Sequence, residues 1–288
     1  MLIMARHLLL NFLLNRIKSN MHNILIIDKP IGFTPLETIQ KIKKQYPHLA
    51  NMKISYAGRL DPLAHGVLLL LVGEEVKKRT TYLSLAKTYE FEAVFGIQTD
   101  TYDLLGYVKD TKIKQESRNV KLFVNTFVNK HLGKQLQSYP PYSSKPVQGK
   151  PLFLWARNNK LSEIDIPKHE IEIFTFSCVN IGEITLRQLR DSIEKNISSV
   201  KGDFRQKEII VRWKALFFEN DKERKLQTAK FHITCSSGTY IRELVHKLGK
   251  ELCSGAVAID ILRTAVGEYT LQTTIKQAGN NYGVFEIM

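Results

Sequence analysis

The chain has 288 residues, 43% of them apolar and 24% charged, which suits a soluble protein with a sizeable core. Forty-two Lys and Arg against 28 Asp and Glu leave a net charge of +14, an excess that favours a polyanionic partner, nucleic acid ahead of an anionic membrane. The three cysteines, Cys178, Cys235 and Cys253, form no CxxC pair, and the eight histidines show no ligand spacing. A disulfide framework and a metal site are therefore not expected.

Residues 1–20, "MLIMARHLLLNFLLNRIKSN", contain no acidic residue and are too short in their apolar part to span a bilayer. Their positive charges mostly follow the apolar stretch, the reverse of a secretory signal. They are set apart as an extension, disordered or preceding a start at Met21. The ordered chain is expected over residues 21–275, with 276–288 as a tail.

"NILIIDKPIGFTPLETIQKIKKQYP" reads as strand, turn and helix. Thr34, Pro35 and Glu37 make a capping box with proline at the first helical position, and Leu36, Ile39 and Ile42 are expected on one apolar face. "SYAGRLDPLAHGVLLLLVG" then places Asp61 before Pro62 and between Gly58 and Gly66, ahead of an unbroken apolar run. The run reads as a buried strand. The proline biases Asp61 towards extended backbone, and the glycines permit close approach by a ligand.

"TYEFEAVFG" alternates, with Tyr89, Phe91, Ala93 and Phe95 on one face and Glu90 and Glu92 on the other, as a half-buried strand does. "NVKLFVNTFVNKHLG" reads as a helix stopped by Gly133, and "EIEIFTFSCVNI" as a strand. Residues 183–210 are polar and mostly helical in pattern, and read as an insertion on a sheet scaffold. "AKFHITCSSGTYIRELVHKLGKEL" reads as strand, tight turn and helix, with Ile241, Leu244, Val245 and Leu248 as a buried stripe and Gly249 as its C-cap. Arg242 lies about 100° around the axis from Ile241, at the stripe's edge, where its guanidinium can reach inward. Strands outnumber helices without regular alternation, which predicts an α+β fold around a mixed, mostly antiparallel sheet.

Taken in order, these segments resemble the TruB family of tRNA pseudouridine synthases over residues 22–270. The resemblance is carried by "IDKPIGFTP", "GRLDPLAHGVLLLLVGEEVKK", "KTYEFEAVFGIQTDTYDLLG", "PPYSSKPVQGKPLFLWAR", "SSGTYIRELVHKLG" and "LRTAVGEY". It implies a pseudouridine synthase fold and isomerisation of uridine 55 in the T-stem-loop of tRNA, with no cofactor. Asp61 falls at the catalytic aspartate, Tyr89 at the active-site tyrosine and Arg242 at the active-site arginine. Tyr240, Tyr56, Lys29, Gly58, Arg59 and Lys77 fall at further active-site or substrate-binding places. A cytoplasmic monomer acting on flipped-out uridine is the implied form. Tyr56 stands where the family usually has histidine, Lys145 stands one residue earlier than the common pattern, and too little chain follows Gly267 for the RNA-binding PUA domain of many relatives.

Three other readings fit parts of the sequence. One is a synthase for another RNA, including a guided one. The second is a silent RNA-binding or RNA-folding protein. The third is an N-glycoside hydrolase pairing Asp61 with Asp100 or Asp103.

Overall fold

The computed structural model describes residues 24–111, 120–218, 222–270 and 284–286; the expectation for residues 1–20 lies outside them. The strands are β1 (Ile24–Lys29), β2 (Ile54–Ala57), β3 (His65–Val72), β4 (Lys87–Phe95), β5 (Ile97–Thr99), β6 (Val108–Thr111), β7 (Gly133–Ser138), β8 (Pro146–Val147), β9 (Lys150–Pro151), β10 (Lys168–Thr185), β11 (Lys225–Cys235), β12 (Ala256–Val266), β13 (Tyr269–Thr270) and β14 (Val284–Glu286). The α-helices are α1 (Pro35–Gln45), α2 (Arg79–Ser84), α3 (Val120–Lys130), α4 (Leu152–Arg157), α5 (Leu186–Ser199), α6 (Gln206–Phe218) and α7 (Ile241–Glu251).

One ten-stranded sheet runs in the order β14-β1-β3-β12-β4-β11-β10-β7, with β2 joining β3 and β13 joining β12. Its pairs are antiparallel except β12 with β3, where Leu262 faces His65 and Arg263 faces Gly66 in parallel register. The sheet is thus mixed and mostly antiparallel, as expected. β3 is buried on both faces: Leu68, Leu70 and Val72 enter one core cluster, and Val67, Leu69 and Leu71 another. That two-sided burial explains its unbroken apolar run.

Tyr89, Phe91, Ala93 and Phe95 of β4 share the larger core with apolar residues of α1, α3 and α7. Val94, on the other face, joins a separate core made with α5 and α6. In α1 the capping box of Thr34 and Glu37 is formed, but Leu36 is exposed. The buried places go to Pro35, Thr38, Ile39 and Ile42, because the Thr38 hydroxyl donates to the Thr34 carbonyl and so enters the core satisfied.

Two other sequence expectations shift. Gly133 opens β7 rather than closing α3, which ends at Lys130. Gly249 lies inside α7, which continues to Glu251. A Cβ there would meet the backbone nitrogen of Ala256 at 2.1 Å, so this glycine serves close packing of helix on strand. The polar region near 183–210 begins by completing the 18-residue β10, and its helices form a hairpin reaching Phe218. Leu186, Leu189, Ile193 and Ile197 of α5 and Ile209, Trp213 and Leu216 of α6 are buried. The segment beyond 276 includes β14, which pairs antiparallel with β1.

Candidate active site

The site forms where β3 and β12 run parallel. Arg263 of β12 is fully buried. Its Nε donates to the Val67 carbonyl (2.7 Å), Nη2 to Gly58 (3.1 Å) and Nη1 to Arg59 (3.4 Å). One side chain therefore grips the start of the 58–64 loop and the strand that follows it. Gly58 has φ +85°, and a Cβ there would sit 3.4 Å from the Arg263 guanidinium. Gly66, at φ +97°, would place a Cβ 2.3 Å from the Arg263 carbonyl. At Gly66 the close approach is made by the backbone of Arg263, whereas at Gly58 a Cβ would meet only ordinary contact.

Lys29, at the end of β1, is fully buried beneath the same loop. Its Nζ donates to the carbonyls of Phe33 (2.6 Å), Pro30 (3.0 Å) and Pro62 (3.4 Å). Burial pulls its pKa down to about 7, against the pull of the nearby Asp61 charge. Gly32 N–H also donates to the Pro62 carbonyl (2.8 Å), so the "DKPIGF" turn and the residue after Asp61 are fixed to each other.

Asp61 is presented by that pinned loop with its side chain 33% exposed. Its Oδ2 accepts from Arg242 Nε at 2.8 Å. Arg242, from the first turn of α7, is itself 3% exposed. It spends Nη1 on the Thr101 carbonyl (2.9 Å) and Nη2 on the Tyr142 carbonyl (3.0 Å). The guanidinium is thus held on three sides, with Nε aimed at the carboxylate. Burial pulls the Arg242 pKa down, but the charges of Asp61 and Asp103 outweigh it and leave it above the ordinary value. Asp103, bonded by Thr101 Oγ1 (2.6 Å) and Leu105 N–H (2.9 Å), is raised by burial to about 6, with Arg242 opposing.

These groups open onto a cavity of about 500 Å³, of a size that accepts a nucleoside. Of the residues singled out from sequence, Gly58, Arg59, Asp61, Tyr89, Tyr240 and Arg242 line it. Tyr89 is nearly buried, and burial raises its hydroxyl pKa. Tyr240 caps α7 and is fixed by Gln137, whose Oε1 accepts its N–H (2.8 Å) while Nε2 donates to its carbonyl (3.0 Å). Arg59 donates to the Ser144 hydroxyl.

Three others lie off the cavity. Lys29 sits beneath the loop. Tyr56, in β2, carries the Arg79 guanidinium 5.9 Å from its ring, and Arg79 Nε donates to its carbonyl. Lys77 is exposed and paired with Glu74 at 2.5 Å. Conversely, Lys87 and Arg263 line the cavity and were not singled out. Lys87 Nζ donates to Leu83 and Leu85, each at 2.6 Å, and burial lowers its pKa to about 8. The available signal was a cation inside an apolar strand pattern, as in "IDILRTAVG".

A carboxylate bonded to a guanidinium at a cavity lined by tyrosine rings can act as a nucleophile or stabilise developing positive charge. Among the described residues, no three His, Cys, Asp or Glu side chains converge as metal ligands, and no helix is long and apolar enough to cross a membrane.

The chain is similar to tRNA pseudouridine synthase B of Lactobacillus acidophilus, with 28% identity over 260 residues, 89% of this chain and 72% of that one. It is 31% identical over 261 residues to tRNA pseudouridine synthase B of Pseudomonas fluorescens, covering 90% of this chain and 68% of that one. Its fold resembles a chain in the crystal structure of a Cbf5-Nop10-Gar1 complex, with TM-score 0.53 and 17% identity. That match covers 90% of this chain but spans only 54% of the other. The family model described as "TruB family pseudouridylate synthase (N terminal domain)" matches residues 44–204. More than half the chain, including the Asp61 loop, β4 and the 100–103 turn, is accounted for by that match, and the chain belongs to the TruB family of pseudouridylate synthases.

Proposed function

We propose that this protein isomerises uridine 55 in the T-stem-loop of tRNA to pseudouridine, with Asp61 as its catalytic carboxylate. The observation that carries the reading is the 2.8 Å bond from Arg242 Nε to Asp61 at a cavity flanked by Tyr89 and Tyr240. Family membership supports the reaction, and the relatives' name, tRNA pseudouridine synthase B, supports the substrate.

The reaction balances within one nucleotide. The N1–C1′ bond breaks, C1′ joins C5, and the proton leaving C5 is matched by one gained at N1. The required parts are an anion for the sugar, a surface for the loosened base and a proton acceptor. Asp61 serves the first. Tyr89 and Tyr240 offer ring faces on which the extruded base stacks, offsetting the few kcal/mol that flipping costs. Arg242 Nε holds the Asp61 carboxylate in place by a charge-assisted bond. Lys29 and Arg263 act beneath the loop, keeping its carbonyls in place.

The charge of +14 supplies phosphate contacts along the stem-loop. The enzyme works in the cytoplasm as a monomer. A hydrolase using a second carboxylate is disfavoured because Asp103 is committed to Thr101 and Leu105. Asp100 is likewise committed, to Tyr107 N–H and the Tyr142 hydroxyl. Incubating the protein with an unmodified tRNA transcript and mapping modified bases tests the reading. A single pseudouridine in the T loop is expected; free uracil, or no pseudouridine, would overturn it.

A further inference from the structure

The hairpin of α5 and α6 reaches the catalytic centre through its connecting loop, residues 200–205. At one end, Lys201 N–H donates to the Gly32 carbonyl (2.9 Å), and Gly32 N–H donates to Pro62. Gly32 has φ +92°, and a Cβ there would lie 2.5 Å from the Ser199 carbonyl. The hairpin therefore seats on the turn that pins the Asp61 loop.

At the other end stands Arg205. It has φ +63°, a left-handed conformation that a non-glycine residue holds only when its surroundings demand it. Its guanidinium packs on the rings of Tyr107 and Tyr142, at 4.2 and 4.5 Å from their centroids. Nη1 donates to Asp100 Oδ2 (3.0 Å) and to the Tyr142 hydroxyl (2.9 Å), while that hydroxyl donates to Asp100 (2.7 Å). The pair is largely desolvated, with side chains 16% and 8% exposed.

The backbone next to these partners is what holds Arg242. Thr101, adjacent to Asp100, accepts from Nη1, and Tyr142 accepts from Nη2 through its own carbonyl. A continuous path of bonds thus runs from the hairpin loop to Asp61.

We propose that Arg205 is a positioning residue: by clamping Asp100 and Tyr142, it fixes the two carbonyls that aim Arg242 at Asp61. Its consequence for turnover rests on the function proposed above; the clamp itself does not. Arg205 lies at the edge of the cavity, but its side chain is 16% exposed, two rings pack within 4.5 Å of its guanidinium and Nη1 is already bonded. That arrangement suits an internal strut better than a phosphate contact.

The test compares wild type with Arg205→Ala, Arg205→Lys and Tyr142→Phe. Three quantities are read: hydrogen-exchange protection of Arg242 Nε–H by NMR, thermal unfolding, and kcat and KM on tRNA. In folded Arg205→Ala, protection of Arg242 Nε–H is expected to fall by about tenfold. Misplacing a catalytic group by an ångström costs up to about 100-fold in rate, so kcat should fall roughly 10- to 100-fold with KM changed by less than about threefold. Arg205→Lys keeps the charge but loses the planar fork, and should restore only part of kcat.

Unchanged Nε–H protection would overturn the proposal. So would a raised KM at constant kcat, which marks a direct RNA contact. Should Arg205→Ala fail to fold, Tyr142→Phe asks the same question by deleting one oxygen. A wild-type protein silent on tRNA would sink the proposed function, and the exchange measurement would still decide the clamp.

Discussion

Arg242 makes three hydrogen bonds from three different nitrogens, to Asp61 and to two buried carbonyls. A lysine has one ammonium and cannot fan out in a plane to meet all three. Arg242→Lys should therefore leave at least one carbonyl unsatisfied and destabilise the protein by about 2–4 kcal/mol. Urea unfolding checks this, and an unchanged midpoint would contradict it. Lys29 gives a pH signature. Folded, it loses its proton near pH 7, whereas an unfolded lysine holds it to about 10.4. Between those values the unfolded chain binds more protons, so this group's contribution to stability increases as pH rises from about 7 to 10 and is flat below. Lys29→Met should remove that slope in unfolding curves measured across pH; parallel curves for both proteins would refute it. Asp61, Tyr89 and Arg242 were placed by the family resemblance of the segments that carry them, and all three line one cavity. Lys87 and Arg263 were not placed, because their acceptors are backbone carbonyls brought in by the fold, and a carbonyl leaves no mark in the letters.

At the scale of elements, local signals read well and tertiary ones poorly. The capping box opening α1 and the alternation of β4 depend on neighbours within a few residues, and both were visible. The stripe Ile241, Leu244, Val245 and Leu248 placed α7 correctly. Gly249 misled because a glycine near a helix end resembles a stop, while its actual constraint is Ala256 on β12, met only after folding. Gly249→Ala should thus destabilise the protein, although alanine is the better helix former. Overpacking against that backbone gives a cost of about 1–3 kcal/mol, read as a lower unfolding midpoint; a stabilised variant would show that the helix can retreat. The hairpin of α5 and α6 was undervalued for a related reason. Its surface is polar, and its buried stripe faces a core whose other members come from β4, β5, the 104–105 turn, β11 and β12. The capping box of Thr185 and Gln188 was available as a start signal.

Across the whole molecule, the parallel pairing of β3 with β12 is what makes the site possible. It lays Arg263 beside the root of the Asp61 loop, while α7, leading into β12, delivers Arg242 to the Asp61 carboxylate. Residues 61, 89 and 242 converge only through a sheet whose neighbours are far apart in sequence, an arrangement no local pattern encodes. The net charge of +14 favours a polyanion such as RNA, and the sheet holds the Asp61 carboxylate in place. Asp61→Asn separates these two contributions, since it keeps the shape and removes one charge. The decisive measurement is pseudouridine formed in tRNA by this variant, alongside its tRNA affinity. The account predicts affinity within about threefold of wild type and product formation lower by more than about 1,000-fold. Turnover within about tenfold of wild type would contradict it.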